Sequence, residues 1–200
     1  MNELKMSDVA TAEVARGNTN VQGAFQPTGR FVVEHWRNGE RINEYHFHNA
    51  VTTEGKNYML NVLFKAATQY SSWYLGLINN TGYTALAVGD AYTGINQAAN
   101  GWAEFSSYTD TNNSGNATTR PSWGPGTASA ATTTNATAAV FTITAAGTVK
   151  GLFACTGGSA QPKNDYAAGN YLYATALFSS GDVTVANGDQ LKVTYTVTAT

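Results

Sequence analysis

Residues 183–200 read Val183-Thr184-Val185-Ala186-Asn187-Gly188-Asp189-Gln190-Leu191-Lys192-Val193-Thr194-Tyr195-Thr196-Val197-Thr198-Ala199-Thr200. From Leu191 onward the odd positions are apolar (Leu191, Val193, Tyr195, Val197) and the even ones polar. Successive side chains of a strand point to opposite faces, so this strict alternation predicts a half-buried strand. Val183 and Val185 carry the same stripe on the far side of Asn187-Gly188. A two-residue loop at Asn187-Gly188 would set Val185 against Gln190 and mix the faces. A three-residue loop over 186–188, with Gly188 in the left-handed region, sets Val183 against Leu191. Burial favours that register, because a slip by one residue turns the whole stripe toward water. The expectation is an antiparallel sheet with one dry face.

Working outward, Phe31-Val-Val-Glu-His-Trp36 and Arg41-Ile-Asn-Glu-Tyr-His-Phe47 flank Asn38-Gly39. Asn-Gly between two β-rich runs predicts a hairpin, since both central residues of a type I′ turn need φ > 0. Arg37 then faces Glu40. Val32, Trp36, Tyr45 and Phe47 fall on one face, and Phe31, Val33, His35 and Ile42 on the other, so the hairpin reads as covered on both sides. Thr52 or Thr53 can cap a helix over about 53–65, with Glu54 in its first turn and Met59, Val62, Leu63 and Ala66 as its apolar stripe. Further strands are expected over 73–78, 139–144, 148–154 and 171–178, with 83–90 a helical turn or a loop. Residues 96–138 and 156–170 read as loops, with an exposed tip at 110–116. Arg120-Pro-Ser-Trp123 is extended, because proline pushes its predecessor out of the helical region. The Thr/Ala/Ser run 127–138 reads as an edge strand or the lead-in to one. Residues 1–29 form an extended, polar N-terminal arm, and 30–200 one mainly β domain. Many short strands and one helix predict an antiparallel β-sandwich, jelly-roll-like or immunoglobulin-like.

Only 12% of residues are charged, and the net charge is −2. Residues 1–65 hold 7 of the 11 Lys and Arg and 7 of the 13 Asp and Glu, which leaves ten charges for the other 135 residues. Without a basic cluster, nucleic-acid binding is not expected. No apolar run approaches the ~20 residues of a membrane span. Met1-Asn2-Glu3-Leu4-Lys5 offers no hydrophobic signal segment, so synthesis and retention in a cytoplasm are expected. Cys155, the single cysteine, follows Leu152-Phe153-Ala154 and reads as a small core residue. The sequons at Asn79, Asn112, Asn116 and Asn135 are what chance supplies in a chain so rich in Asn and Thr.

Three chemistries can be sought. His35, His46 and His48 cluster around one hairpin, the best metal candidate available, but no third ligand has a fixed spacing. Glu104, Asp90, Asp110 and Asp165 lie in loops, yet nothing pairs them for glycoside hydrolysis. Nucleophile and phosphate-cradle motifs are absent. Trp73, Trp102 and Trp123 could stack on sugars or could pack the core, and packing is the favoured reading. No catalytic, cofactor-binding or metal site is assigned.

The run Ala50-Val-Thr-Thr-Glu-Gly-Lys-Asn-Tyr-Met-Leu60, then Trp73-Tyr-Leu-Gly-Leu-Ile78, resembles a family of small tailed-bacteriophage virion proteins. So do Ala87-Val-Gly-Asp90, Gly101-Trp-Ala-Glu104, Tyr108, Arg120-Pro-Ser-Trp123 and Asn187-Gly-Asp-Gln-Leu-Lys-Val-Thr-Tyr195. The likeness covers about residues 30–200, and only 109–119 look longer and richer in Asn and Thr. It implies a non-enzymatic virion protein assembled in the host cytoplasm, with no cofactor. Head decoration (cement) is the first expectation. A tail-associated module reading surface glycans through loops 96–126 and 156–170 is the alternative. Expected partners are the major capsid or other virion proteins, copies of itself and, in the alternative, a glycan.

Overall fold

The computed structural model describes residues 27–157 and 162–199. The alternation at the C-terminus is realised in β12 (Gln190–Ala199), where Leu191, Val193 and Tyr195 are fully buried while Lys192, Thr194 and Thr196 are partly exposed. The expected arm over 1–29 lies outside the described residues as far as residue 26. Its last three residues open β1 (Pro27–Arg37), which pairs with β12 along almost its whole length.

The remaining strands are β2 (Glu40–His48), β3 (Ala50–Val51), β4 (Ser72–Asn79), β5 (Tyr108–Asp110), β6 (Ser122–Trp123), β7 (Thr132–Thr134), β8 (Ala139–Ile143), β9 (Gly147–Gly157), β10 (Leu172–Leu177) and β11 (Val183–Val185). One antiparallel sheet runs β2-β1-β12-β8-β5, with β7 also on β12. The second runs β3-β10-β9-β4-β6, with β11 also on β9. The two pack face to face as a β-sandwich, as expected. Each sheet has a long central strand, one flank of which is shared by two short strands. β12 carries β8 along 190–193 and β7 along 196–198. β9 carries β11 along 147–149 and β10 along 151–155.

Gly188 adopts the left-handed backbone expected of it, with φ +88°. The hairpin built on it does not form. Val183 pairs with Val149 in one sheet, and Leu191 pairs with Phe141 and His35 in the other. The turn at 186–188 carries the chain across the sandwich, so the two stripes meet through the core. A period of two says which side chains face inward, and it reads the same whether two strands lie side by side or in opposite sheets. The β1–β2 hairpin does form, with Asn38 and Gly39 at φ +52° and +82° and Arg37 opposite Glu40. A β-bulge between His35 and Trp36 leaves Ile42 as the extra residue and shifts the pairing beyond it by one. Phe31 therefore sits opposite Phe47, and Val33 opposite Tyr45. The mixed faces expected from the unbulged register resolve into one dry face and one wet one, so the hairpin is covered on one side only.

The second sheet is buried on both sides, and its strands show unbroken runs of buried residues in place of alternation. Its inner face meets the first sheet. Its outer face, with Tyr74, Ile78, Phe153, Cys155 and Leu172, is roofed by Tyr92, Ile95 and Trp102 from the long connection after β4. That connection is loop, including 83–90, with a single short 3-10 turn at Tyr92–Gly94.

Helix α1 (Thr53–Lys65) lies against β10. Thr52 is the N-cap: its Oγ1 accepts from Gly55 N at 3.0 Å and donates to Leu172 O at 2.5 Å. Glu54 Oε2 accepts from the backbone N–H of Leu172 at 2.6 Å and of Tyr92 at 2.8 Å, so one carboxylate ties helix, sheet and roof together. Burial pushes the Glu54 carboxyl up, against those two N–H groups that favour its charge. The buried side of α1 is Gly55 and Tyr58, with Met59 and Val62 half-buried. Leu63 and Ala66, expected on that side, are exposed. The phase differs because the closest contact is made by a glycine, which no apolar stripe reveals.

A Cβ on Gly55 would lie 2.5 Å from Tyr173 O and 2.9 Å from Tyr173 Cα, both backbone atoms. Helix propensity alone would make Gly55→Ala stabilising by about 1 kcal/mol. The close approach reverses the sign: the variant loses about 1–3 kcal/mol, read as a lower urea midpoint at unchanged m-value.

Candidate functional site

The histidines do not converge. His35 is buried at 2% exposure and points into the sandwich, where its Nε2 donates to Asp189 Oδ2 at 2.8 Å. His46 and His48 are exposed on the opposite face of the hairpin. His46 Nδ1 accepts from Arg30 at 2.6 Å, and its Nε2 donates to Glu44 Oε1 at 2.5 Å. The β-bulge and the pleat separate what sequence proximity suggested. Among the described residues no group of three or more His, Cys, Asp or Glu could hold a metal ion.

Asp189 is the hub that engages His35. It is 1% exposed and receives Arg37 Nε at 2.7 Å, Arg37 Nη2 at 2.8 Å, His35 Nε2 and the Ala186 N–H at 2.8 Å. The Arg37 hydrogen bonds, outweighing burial and helped by Ala186 and His35, hold its carboxyl well below the usual carboxylate range. It closes the corner at which the chain changes sheets.

The four loop carboxylates take separate structural roles. Asp90 accepts from Trp102 Nε1 at 2.8 Å and from Ala87 N, closing a turn. Asp110, expected to open the exposed tip 110–116, is instead buried at 4% exposure and accepts from Thr119 Oγ1 at 3.3 Å; residues 111–115 are exposed as expected, and Asn116 is half-buried. Asp165 receives the Ala167 N–H. Glu104 is the most elaborate. Its two oxygens take a bidentate grip from Arg120, Nε to Oε1 and Nη2 to Oε2, both at 2.8 Å. Tyr108 Oη (3.1 Å), Tyr166 Oη (2.9 Å) and the Asn164 N–H complete the shell. Arg120 Nη1 donates to Tyr92 Oη at 2.9 Å, and that hydroxyl donates to Asp165 O at 2.5 Å. The guanidinium lies over the rings of Tyr92, Phe153 and Tyr166. Burial is the largest influence on the Arg120 group and acts to lower it, but Glu104, Cys155 and Tyr92 together outweigh it, and the net shift is upward.

Both charged side chains are 0% exposed. Every oxygen of Glu104 is engaged, so it has neither a free lone pair nor a path to a substrate. Sequence reasoning noted Glu104 and missed its partner. Sixteen positions separate them, with no periodicity to connect them. The available signal was compositional: a lone Glu and a lone Arg among aromatics in a charge-poor stretch. Cys155 lies beside this knot, fully buried, and burial pushes its thiol up to about 12. It is the small core residue expected. Trp102 and Trp123 are core residues too, 2% and 5% exposed, with their ring N–H groups given to Asp90 and to Tyr195 O.

What the described surface does offer is apolar. Leu60, Leu63 and Phe64 on α1 are 48%, 64% and 79% exposed. Beside them is a recess of about 260 Å³ lined by Tyr58, Met59, Val62, Leu63, Gln69, Tyr70 and Trp73. Its floor is a braced aromatic raft. Tyr58 stacks on Tyr171 at 4.7 Å and meets Trp73 edge-on at 5.9 Å. Tyr58 Oη accepts from Tyr70 N at 2.7 Å, and Tyr70 Oη donates to Gly169 O. No described helix is long and apolar enough to cross a membrane.

No family model matches the chain, and no curated protein matches it. Fold and surface together define a β-sandwich with a buried ion pair, Glu104–Arg120, beneath its loops.

Two expectations follow. Ionised Asp189 contributes stability that is complete above about pH 4 and lost as pH falls through its lowered folded-state pKa. Asp189→Asn should therefore cost roughly 2–3 kcal/mol at neutral pH, and the gap to the parent protein should narrow in urea titrations taken from pH 5 toward pH 2. Separately, Glu104→Gln strands a buried guanidinium and should cost about 3–5 kcal/mol, measured by the same titration at pH 7.

Proposed function

We propose that this chain is a non-enzymatic structural component of a virion, a decoration (cement) protein on the outside of a tailed-phage head. One observation carries the reading. Glu104 with Arg120 and Asp189 with His35 are buried and bonded to one another, Cys155 is buried, and on the surface His46 and Glu44 are bonded to each other and to Arg30 and Arg41, while the surface after residue 65 is charge-poor and α1 presents bare apolar side chains. Such a body acts by fitting against other proteins. The sequence likeness over about residues 30–200 supplies the virion context. A protein that binds an assembled shell better than free subunits stabilises the shell by mass action. The partners in this reading are the major capsid protein and neighbouring copies, and the stiff two-sheet body is the spacer between them.

The glycan-reading tail module has less support. Of the three tryptophans considered for stacking on sugars, Trp102 and Trp123 are core residues whose replacement would unsettle the fold, and only Trp73 is half-buried, at the edge of a surface recess.

Quantitative mass spectrometry of purified particles tests the proposal. Hundreds of copies per particle are expected. A handful, in multiples of three or six, would move the protein to the tail, and absence from particles would refute both. In the same system, removing residues 1–26 leaves every described contact in place. It should abolish particle binding at unchanged thermal stability. Full decoration by the shortened chain would refute a role for that segment.

A further inference from the structure

We propose that Asn38 is a site of spontaneous covalent modification, converted to aspartate or isoaspartate by its own backbone neighbour while the chain stays folded. The claim does not depend on the capsid reading.

Three Asn-Gly pairs occur in the sequence, Asn38-Gly39, Asn100-Gly101 and Asn187-Gly188. Each has the atoms for one and the same reaction. The glycine backbone nitrogen attacks Cγ of the asparagine side chain. The Cγ–Nδ2 bond breaks, and ammonia leaves with the proton that the glycine N–H gives up. The product is a five-membered succinimide. Water then opens the ring at either carbonyl, leaving aspartate or isoaspartate. No oxidant, metal or enzyme takes part. Glycine favours the closure because it places no side chain beside the attacking nitrogen, and asparagine is among the thermolabile residues. Because all three pairs share this chemistry, the fold decides among them. The glycine nitrogen must be unbound, and the peptide that carries it must be free to rotate.

Two of the pairs are held. Asn100 is 7% exposed, and its carboxamide grips Ala91 twice, Oδ1 accepting from the backbone N–H at 3.2 Å and Nδ2 donating to the carbonyl at 2.8 Å. The Gly101 N–H donates to Gln97 O at 3.3 Å. Asn187 is exposed, but the Gly188 N–H donates to Ile143 O at 2.8 Å, and the Asp189 N–H closes the turn onto Ala186 O at 3.1 Å. Either glycine nitrogen must leave a hydrogen bond before it attacks, which requires a local opening.

The third pair has no such restraint. Asn38 and Gly39 are both exposed at the tip of the β1–β2 hairpin. Among the described residues neither the Asn38 carboxamide nor the Gly39 N–H has a hydrogen-bond partner. A Cβ placed on Gly39 would meet nothing within 4 Å, so the peptide has room to turn. Exposure alone does not separate Asn38 from Asn187. The free nitrogen does.

The position gives the reaction a consequence. In isoaspartate the main chain runs through the side-chain methylene, so one carbon is added to a two-residue turn whose length sets the register of its strands. Arg37 faces Glu40 across that turn and gives Nε and Nη2 to Asp189 at 2.7 and 2.8 Å. Lengthening the turn displaces Arg37 from the corner that Asp189 closes, and the new carboxylate stands beside Glu40.

Peptide mapping by mass spectrometry tests the site, on the full-length chain held for days at mildly alkaline pH, native and in urea. In the native protein Asn38 should convert at least roughly tenfold faster than Asn100 or Asn187, which react only through local opening. In urea the three should converge. A native Asn38 that converts no faster than Asn187 overturns the proposal, and so does the same ranking in urea, because neighbouring residues rather than the fold would then set it. The isoaspartate form, separated by ion exchange, should melt below an Asn38→Asp variant, which carries the charge without the extra carbon. Equal melting temperatures would refute the link to the Asp189 corner.

Discussion

A carboxylate and a guanidinium, both without solvent contact, hold the outer layer of this molecule in place. Glu104 belongs to a segment bridged to β4 at Ile78, and Arg120 immediately precedes Pro121, whose carbonyl accepts from Leu75 N. Both segments therefore run along the same edge of the second sheet, and the ion pair joins them there. Tyr92 brings in the roof and Tyr166 the connection before β10. Desolvating two charges is expensive, and a pair of this kind is weak evidence for net stability. What it does fix is geometry: the bidentate grip requires the two segments to meet at one register. Loops of Thr, Ser, Ala and Gly offer an apolar sheet little that is directional, whereas the donors of Arg120 and the acceptors of Glu104 are met together in this arrangement.

The first sheet solves the corresponding problem at the opposite chemical extreme. Its core face is uniform, with Phe31 stacked on Tyr195 at 4.1 Å and Tyr108 edge-on to Phe141 at 4.8 Å. Apolar contact is non-directional, so this face fixes inward and outward but tolerates alternative strand orders. The order is set where the chain turns. Asp189 gathers Arg37 and His35 from β1 and the Ala186 N–H from the turn. One side chain thereby makes β12 the neighbour of β1 and sends β11 to the other sheet.

That division of labour explains what could be read in the sequence. Periodicity gave the strand 191–197, the inward residues Leu191, Val193 and Tyr195, and the two-sheet class. Local turn chemistry gave Asn38-Gly39, the left-handed Gly188 and the cap Thr52. Pairing was not legible, because Val183 and Leu191 face one core from opposite sheets with the same stripe that a hairpin would need. One inserted residue, Ile42, was enough to move Tyr45 and Phe47 to the other face. The buried knot was illegible for a different reason. A contact across sixteen positions between loops is set by tertiary packing, and only the scarcity of charge hints at it. The apolar face of α1 was half visible: Leu63 was seen as apolar, and burial was assigned to it by rule. A glycine gap at Gly55 and the amphipathic Tyr58 took the inward position, which turned Leu63 and Phe64 out.

The same scarcity of charge has a consequence for how the molecule meets others. Interactions between exposed charges weaken with salt over a Debye length of about 8 Å at physiological ionic strength. Burial of Phe64 and Leu63 has no such dependence, because its driving force comes from water leaving apolar surface. Where the outside is hydroxyl, amide and a few bare apolar side chains, as over much of the chain after residue 65, contacts made there persist when ionic conditions change. Their specificity must then come from shape, which demands a stiff body. The buried knot and the Asp189 corner supply that stiffness, so the polar groups that take no part in contact are what allow the apolar ones to be selective.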